Sequence, residues 1–153
     1  MRRTLMAVIA VALVAMAGAA MAADTTTVAV SATVVGTCKF TAGGTIPFGN
    51  LDPSVGTNQT PAVTQPTFWC TKGADYTITD DGGLHESGPT NRRMLHASLT
   101  EYIPYSFTYT AAGKGLGPAN ILTMNIASTV LGADYINASA GSYTDTVTLT
   151  ITP

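Results

Sequence analysis

Charge is scarce in this chain of 153 residues. Asp, Glu, Lys and Arg make up 10% of it, as seven basic and nine acidic residues. There are two histidines, two cysteines and one tryptophan. Each shortage excludes something. Few, scattered cations do not build a surface for phosphate backbones or for anionic membranes. Two histidines and two cysteines fit no spaced zinc-ligand pattern, and neither a nucleophile elbow nor a Walker loop occurs. After the N-terminal segment no apolar run approaches the ~20 residues of a membrane span. A long helical period is missing as well.

The N-terminus has the pattern of an export signal. Arg2 and Arg3 precede an unbroken apolar run from Leu5 to Met16, and small residues follow. Ala20-Met21-Ala22 fits the small-x-small rule, which places the cut before Ala23 and assigns residues 1–22 to the signal peptide. The run is too short for a transmembrane anchor and lacks a basic stop-transfer flank. Cleavage leaves about 131 residues, the size of one domain. It removes Arg2 and Arg3, so five basic residues stand against nine acids, a net charge of −4. Two cysteines in an exported chain point to a Cys38–Cys70 disulfide closing a loop of about 30 residues. The alternative is two separate buried thiols.

The remaining sequence reads as all-β. Stretches rich in Thr, Val and Ala alternate with Gly, Pro, Asn and Asp turns. Thr25–Val35 alternates cleanly: Val28, Val30, Ala32 and Val34 share one face. It is long for one strand, so it divides into a free arm, residues 23–35, that runs into the domain of residues 36–153. Further strands are expected at Thr45–Leu51, Thr67–Thr71, Tyr76–Thr79, Arg92–Leu99, Tyr102–Tyr109 and Asn120–Val130. Ile121, Met124 and Ile126 are the apolar anchors of the last of these. Asp52–Pro66, Asp80–Thr90 and Ala111–Pro118 read as loops. Tyr143–Thr152 alternates strictly, with Val147, Leu149 and Ile151 on one face behind Tyr143 and Asp145, and five threonines on the other. Pro153 follows at once, which leaves an apolar strand beside an open edge, a hazard that proteins normally avoid.

Reactive chemistry has little support. His85 lies among Asp80, Asp81 and Glu86, but the spacing matches no calcium loop and reads as a solvated turn. His96, after Leu95 in a candidate strand, reads as structural or as a surface residue. Asp52, Asp75, Glu101 and Asp145 serve as paired carboxylates only if the fold brings two together. Trp69 reads as core packing beside Cys70. Asn58-Gln59-Thr60 and Asn137-Ala138-Ser139 match a short sequon that is common by chance. No enzyme activity, metal or cofactor is expected.

Five stretches together resemble a known family. They are the alternating arm before Gly36-Thr37-Cys38, Phe48-Gly49-Asn50-Leu51-Asp52-Pro53, Cys70 before Lys72-Gly73-Ala74-Asp75-Tyr76, Asp81-Gly82-Gly83 before Asn91-Arg92-Arg93-Met94, and Ala140–Val147. In this order they resemble the spore coat protein U domain, the pilin type of archaic, Csu-like chaperone–usher pili. From Ala111 to Asp134 nothing matches and nothing is carried over. The resemblance implies an incomplete immunoglobulin-like β-sandwich, completed by a donor strand from a neighbouring subunit. It implies Val28, Val30 and Ala32 as donor residues and Val147, Leu149 and Ile151 as the acceptor groove. The expected partners are identical or related pilins, a periplasmic chaperone and an outer-membrane usher, with export through the periplasm to a surface fimbria. The alternative function is a monomeric secreted binding module, such as a carbohydrate-binding sandwich. A small exported hydrolase is the third.

Overall fold

The computed structural model describes residues 22–153. The signal-peptide assignment therefore lies, except for Ala22, outside the described residues. The chain divides into a segment ending at Thr33 and a domain, Val34–Pro153. The described part of the first, 22–33, holds neither helix nor strand, and all of it is exposed. The strand expected at Thr25–Val35 is thus absent. A strand needs a paired edge to satisfy its backbone groups, and among the described residues this segment shows no such pairing.

Among the described residues the domain contains ten short strands and one helical turn. These are β1 (Cys38–Ala42), β2 (Thr67–Cys70), β3 (Asp75–Asp80), β4 (Arg92–His96), β5 (Tyr102–Thr108), β6 (Ala112–Lys114), β7 (Leu122–Thr123), β8 (Ala127–Thr129), α1 (Gly132–Tyr135), β9 (Tyr143–Thr144) and β10 (Leu149–Thr152). They form three antiparallel sheets with the orders β1-β2-β7, β10-β3-β6 and β8-β5-β4-β9. The fold is all-β. Period-two burial drives the longer strands: Phe68 and Cys70 of β2, Met94 and His96 of β4, and Ile103 and Tyr105 of β5 point inward.

The core has two clusters. One gathers Phe68, Cys70, Ile78, Met124 and Ile126, and the other Met94, Ile103, Tyr105, Val130 and Tyr135. Cys38 and Cys70 face each other across β1 and β2, with 4.1 Å between their Cα atoms, and are joined as a disulfide. Trp69 lies on the opposite face of β2 and is half-buried, so Phe68 rather than Trp69 packs with Cys70.

Several expected boundaries move, each for a local reason. The first domain strand was expected to lead out of the arm, residues 23–35, into Cys38; β1 instead begins at Cys38. At Thr45–Leu51 only a Thr45–Thr64 bridge forms, because Pro47 has no N–H to give and Gly49 turns the chain at φ 69°. β6 lies inside the expected Ala111–Pro118 loop. Gly113 allows it: a Cβ there would fall 2.6 Å from the Tyr76 hydroxyl, so glycine lets β6 close onto β3. The expected strand Asn120–Val130 breaks into β7 and β8 because Gln65 captures Ile126. Its side chain accepts from the Ile126 N–H at 2.7 Å and donates to the Ile126 carbonyl at 2.8 Å. Ile121 is exposed instead of being an anchor.

Tyr143–Thr152 also divides. β9 pairs with β4, and β10 pairs with β3. The chain crosses between the two sheets at 145–148, held by Leu84 N–H to the Thr146 carbonyl at 3.1 Å and Thr148 N–H to Asp81 Oδ1 at 2.9 Å. The alternation survives the crossing. Tyr143, Asp145, Val147, Leu149 and Ile151 are half-buried, while every intervening threonine is exposed.

Candidate functional site

Six strands end their sheets, and three of these border one opening. Among the described residues β1 pairs only with β2, β9 only with β4 and β10 only with β3. Between these free edges runs an open cleft of about 770 Å³. One wall is the chain from Phe40 through Gly43-Gly44 to Ile46 and Phe48, and the other is Tyr143–Leu149. Met94, Tyr105, Phe107 and Ile126 form its floor. Gly44 is needed here, since a Cβ would stand 2.5 Å from the Thr64 carbonyl and 2.7 Å from Pro66 Cδ. The glycine lets the first wall lie against 64–66.

Val147 and Leu149 line this cleft. Ile151 does not; it packs against the first core cluster, opposite Ile78 across β10 and β3. Val28, Val30 and Ala32 lie in the exposed 22–33 segment, with Val28 and Val30 82% and 90% exposed. Sequence reading missed the wall of Phe40, Ile46 and Phe48. The alternation of Ile46 and Phe48 was visible, but their approach to the C-terminal strand is a tertiary fact.

A polar network underlies the cleft. Arg92 is ion-paired with Asp80, and both side chains are 11% exposed. Tyr109 donates its hydroxyl to the other oxygen of Asp80 at 2.8 Å, and Arg92 lies 5.0 Å over the Phe107 ring. Tyr105 donates to Asp145 Oδ2 at 2.6 Å, while Asp145 Oδ1 is buried without a protein partner. A Cβ on Gly83 would reach within 2.3 Å of Asp145 Oδ2, so glycine makes room for the carboxylate. The network ties β3, β4 and β5 to the crossing point of the C-terminal strand.

Burial, with the Asp145 hydrogen bond, pushes the Tyr105 hydroxyl far above its ordinary range. Burial and the bond to Asp80 raise Tyr109 to about 12. Both phenols are therefore donors at any physiological pH. Burial alone would raise Asp80, but hydrogen bonds from Arg92, Tyr109 and Gly82 outweigh it and hold the carboxyl below its usual value. A depressed carboxylate stabilises the fold above its unfolded value, near about 3.9, and that stability is lost as pH falls through the folded one. The denaturant midpoint is expected to fall below about pH 4, and Asp80→Asn to flatten that acid limb while lowering the neutral plateau. An unchanged acid limb in the variant would contradict this role.

The remaining chemical candidates are dispersed. Asp52 holds Ser54, Asp75 pairs with Lys114, and Glu101 accepts from the Ser139 N–H at 3.0 Å. The His85 carbonyl accepts from Arg93 Nε, and Asn58 Oδ1 accepts from the Gly132 N–H. His96 is buried. Its Nδ1 accepts from the Ser98 and Leu99 N–H groups, which makes it a turn fastener.

Residues 24–150 match the family model of the spore coat protein U domain. The chain belongs to the spore coat protein U family. The match takes in both walls of the cleft, the disulfide and all but the last residues of β10. No curated protein matches the chain. A solved structure, the CsuC–CsuE chaperone–tip adhesion subunit pre-assembly complex from the archaic chaperone-usher Csu pili of Acinetobacter baumannii, is similar at 17% identity with a TM-score of 0.49. That match covers 78% of this chain and 40% of the other. In this spore coat protein U domain the open cleft lies between the Phe40–Phe48 wall and Tyr143–Leu149.

Proposed function

We propose that the protein is a structural subunit of a surface pilus that polymerises by donor-strand exchange. The signal peptide directs it to the periplasm, and cleavage before Ala23 frees the arm of residues 23–35. A periplasmic chaperone shields the cleft first, and an outer-membrane usher accepts the subunit. The arm of an identical or related pilin then replaces the chaperone in the domain of residues 36–153.

The observation that carries this reading is the apolar cleft between free strand edges. An added strand satisfies backbone groups on β1 and on the C-terminal strand, while its alternate side chains fill the space between them. Each hydrogen bond contributes about 1 kcal/mol net, and buried apolar area about 25 cal/mol per Å². Val28, Val30 and Ala32 suit the task, being apolar and spaced two apart, with Val147 and Leu149 facing them. Ile151 supports the groove from the core side.

Deleting Ala23–Ser31 tests the reading. The expected result is a folded, exported subunit that gives one monomer band on an unboiled gel, where the intact chain gives a ladder. An undiminished ladder from the deleted chain would refute donor exchange. A lone monomer band from intact surface material would favour the secreted binding module.

A further inference from the structure

The domain carries two exposed apolar patches at opposite ends of its C-terminal strand. The chain enters at Gly36, where a Cβ would lie 3.5 Å from Pro153 and 3.6 Å from Ala74. The 71–74 turn and the loop after β6 share this end, tied by Gly73 N–H to the Gly115 carbonyl and Gly117 N–H to the Cys70 carbonyl. Leu116 and Ile121 are each 52% exposed here. Lys72 stands beside Gly117 and is exposed, whereas Lys114 is neutralised by Asp75. The end is thus apolar with positive charge.

The other end is built around Gly132. A Cβ there would fall 1.8 Å from the Gly56 carbonyl, so α1 and the 52–58 loop are in backbone contact. Tyr135 fixes them by donating to the Thr57 carbonyl at 2.6 Å. Val55, Leu131 and Ile136 flank this contact and are 60%, 49% and 48% exposed. Asp52 and Asp134 supply negative charge. β8 runs from Ala127 opposite Thr108 to Thr129 opposite Ser106, so α1 follows it toward the Tyr102 end of β5, the end at which Tyr143 pairs with His96 and the C-terminal segment begins. From Tyr143 the chain runs through β9, the crossing and β10 to Pro153 at the other end, a reach of at most about 33 Å.

We infer that these patches are the two halves of a head-to-tail contact between consecutive copies of this chain: Leu116, Ile121 and Lys72 of one copy on Val55, Leu131, Ile136 and Asp134 of the next. One copy cannot bring its own patches together, and their charges are opposite. Unlike surfaces that meet in this way grow open chains. The end near Pro153 is occupied by the acceptor's own entering chain at Gly36. An incoming copy therefore reaches the cleft from the Tyr143 end, which sets its Leu116 loop against α1. This rests on the strand-exchange reading and adds a second contact that fixes the angle between subunits.

The test uses full-length protein carrying Leu116→Cys with Ile136→Cys, assembled on its own cells, sheared and mildly oxidised. Boiling removes strand exchange and leaves only covalent links. The expected result is a ladder that survives boiling without reductant in the double variant and is absent from either single variant. A ladder present before boiling that collapses to monomer afterwards overturns the contact and leaves strand exchange standing. No ladder from unsubstituted protein before boiling overturns both. A charge swap gives an independent measure: Lys72→Glu and Asp134→Lys are each expected to slow assembly several-fold at low salt, and together to restore it. Failure of the pair to restore assembly counts against the contact.

Discussion

Val30→Asp is expected to abolish chain growth while leaving the folded subunit almost unchanged. Val30 is 90% exposed, so the substitution takes almost no buried surface away. Surface changes of this kind usually move stability by less than about 0.5 kcal/mol. In the occupied cleft the same position would face Val147 and Leu149, and a carboxylate there would be buried without a partner. That penalty is several kcal/mol, enough to reduce assembly by orders of magnitude. Ala29→Asp is the control, because its side chain lies on the other face of the arm. Unboiled gels of surface material, with circular dichroism of the monomer, measure both halves of the expectation. If Ala29→Asp blocks assembly and Val30→Asp does not, the arm inserts one residue out of the register assigned to it.

Removing the disulfide is expected to have the larger effect on the subunit itself. Cys38→Ala with Cys70→Ala opens a loop spanning 32 positions. The loss is about 3 kcal/mol in the chain-entropy picture, a large part of the ~5–15 kcal/mol that holds a domain of this size. The placement aggravates it. Cys70 has no exposed surface, and among the described residues β1, an edge strand, pairs with β2 alone. Because Phe40 on β1 lines the cleft, loosening β1 removes a wall of the acceptor site as well. Denaturant midpoints with and without reductant should separate clearly; coincident curves would contradict this account.

The sequence made some of this legible and hid the rest for physical reasons. The C-terminal strand was plain because its period-two pattern is set by one chain and persists across the jump between sheets. The disulfide was suggested by cysteine count and export, but its role in clamping an edge strand needed the β1–β2 register. Local propensity misjudged places where another segment decides. Gln65 splits a strand from sixty residues away by occupying both backbone groups of Ile126. Gly113 looked like loop material, yet its missing Cβ admits β6 under Tyr76. The cleft drew on this limit most. Val147 and Leu149 came from alternation together with family resemblance, whereas Phe40, Ile46 and Phe48 are joined to them only by folding. Ile151 shared their pattern and went to the core, since alternation fixes a face and not the depth of its neighbours.

The central claim is that the arm of one chain fills the cleft of another. Its most direct test is a synthetic peptide of residues 23–35 titrated against the subunit that lacks Ala23–Ser31, followed by thermal unfolding. The account predicts saturable binding and a rising midpoint with peptide concentration, since a ligand that binds only the folded state stabilises it by mass action. A Val30→Asp peptide should give neither. No shift with the native peptide, or an equal shift with both, would contradict the account.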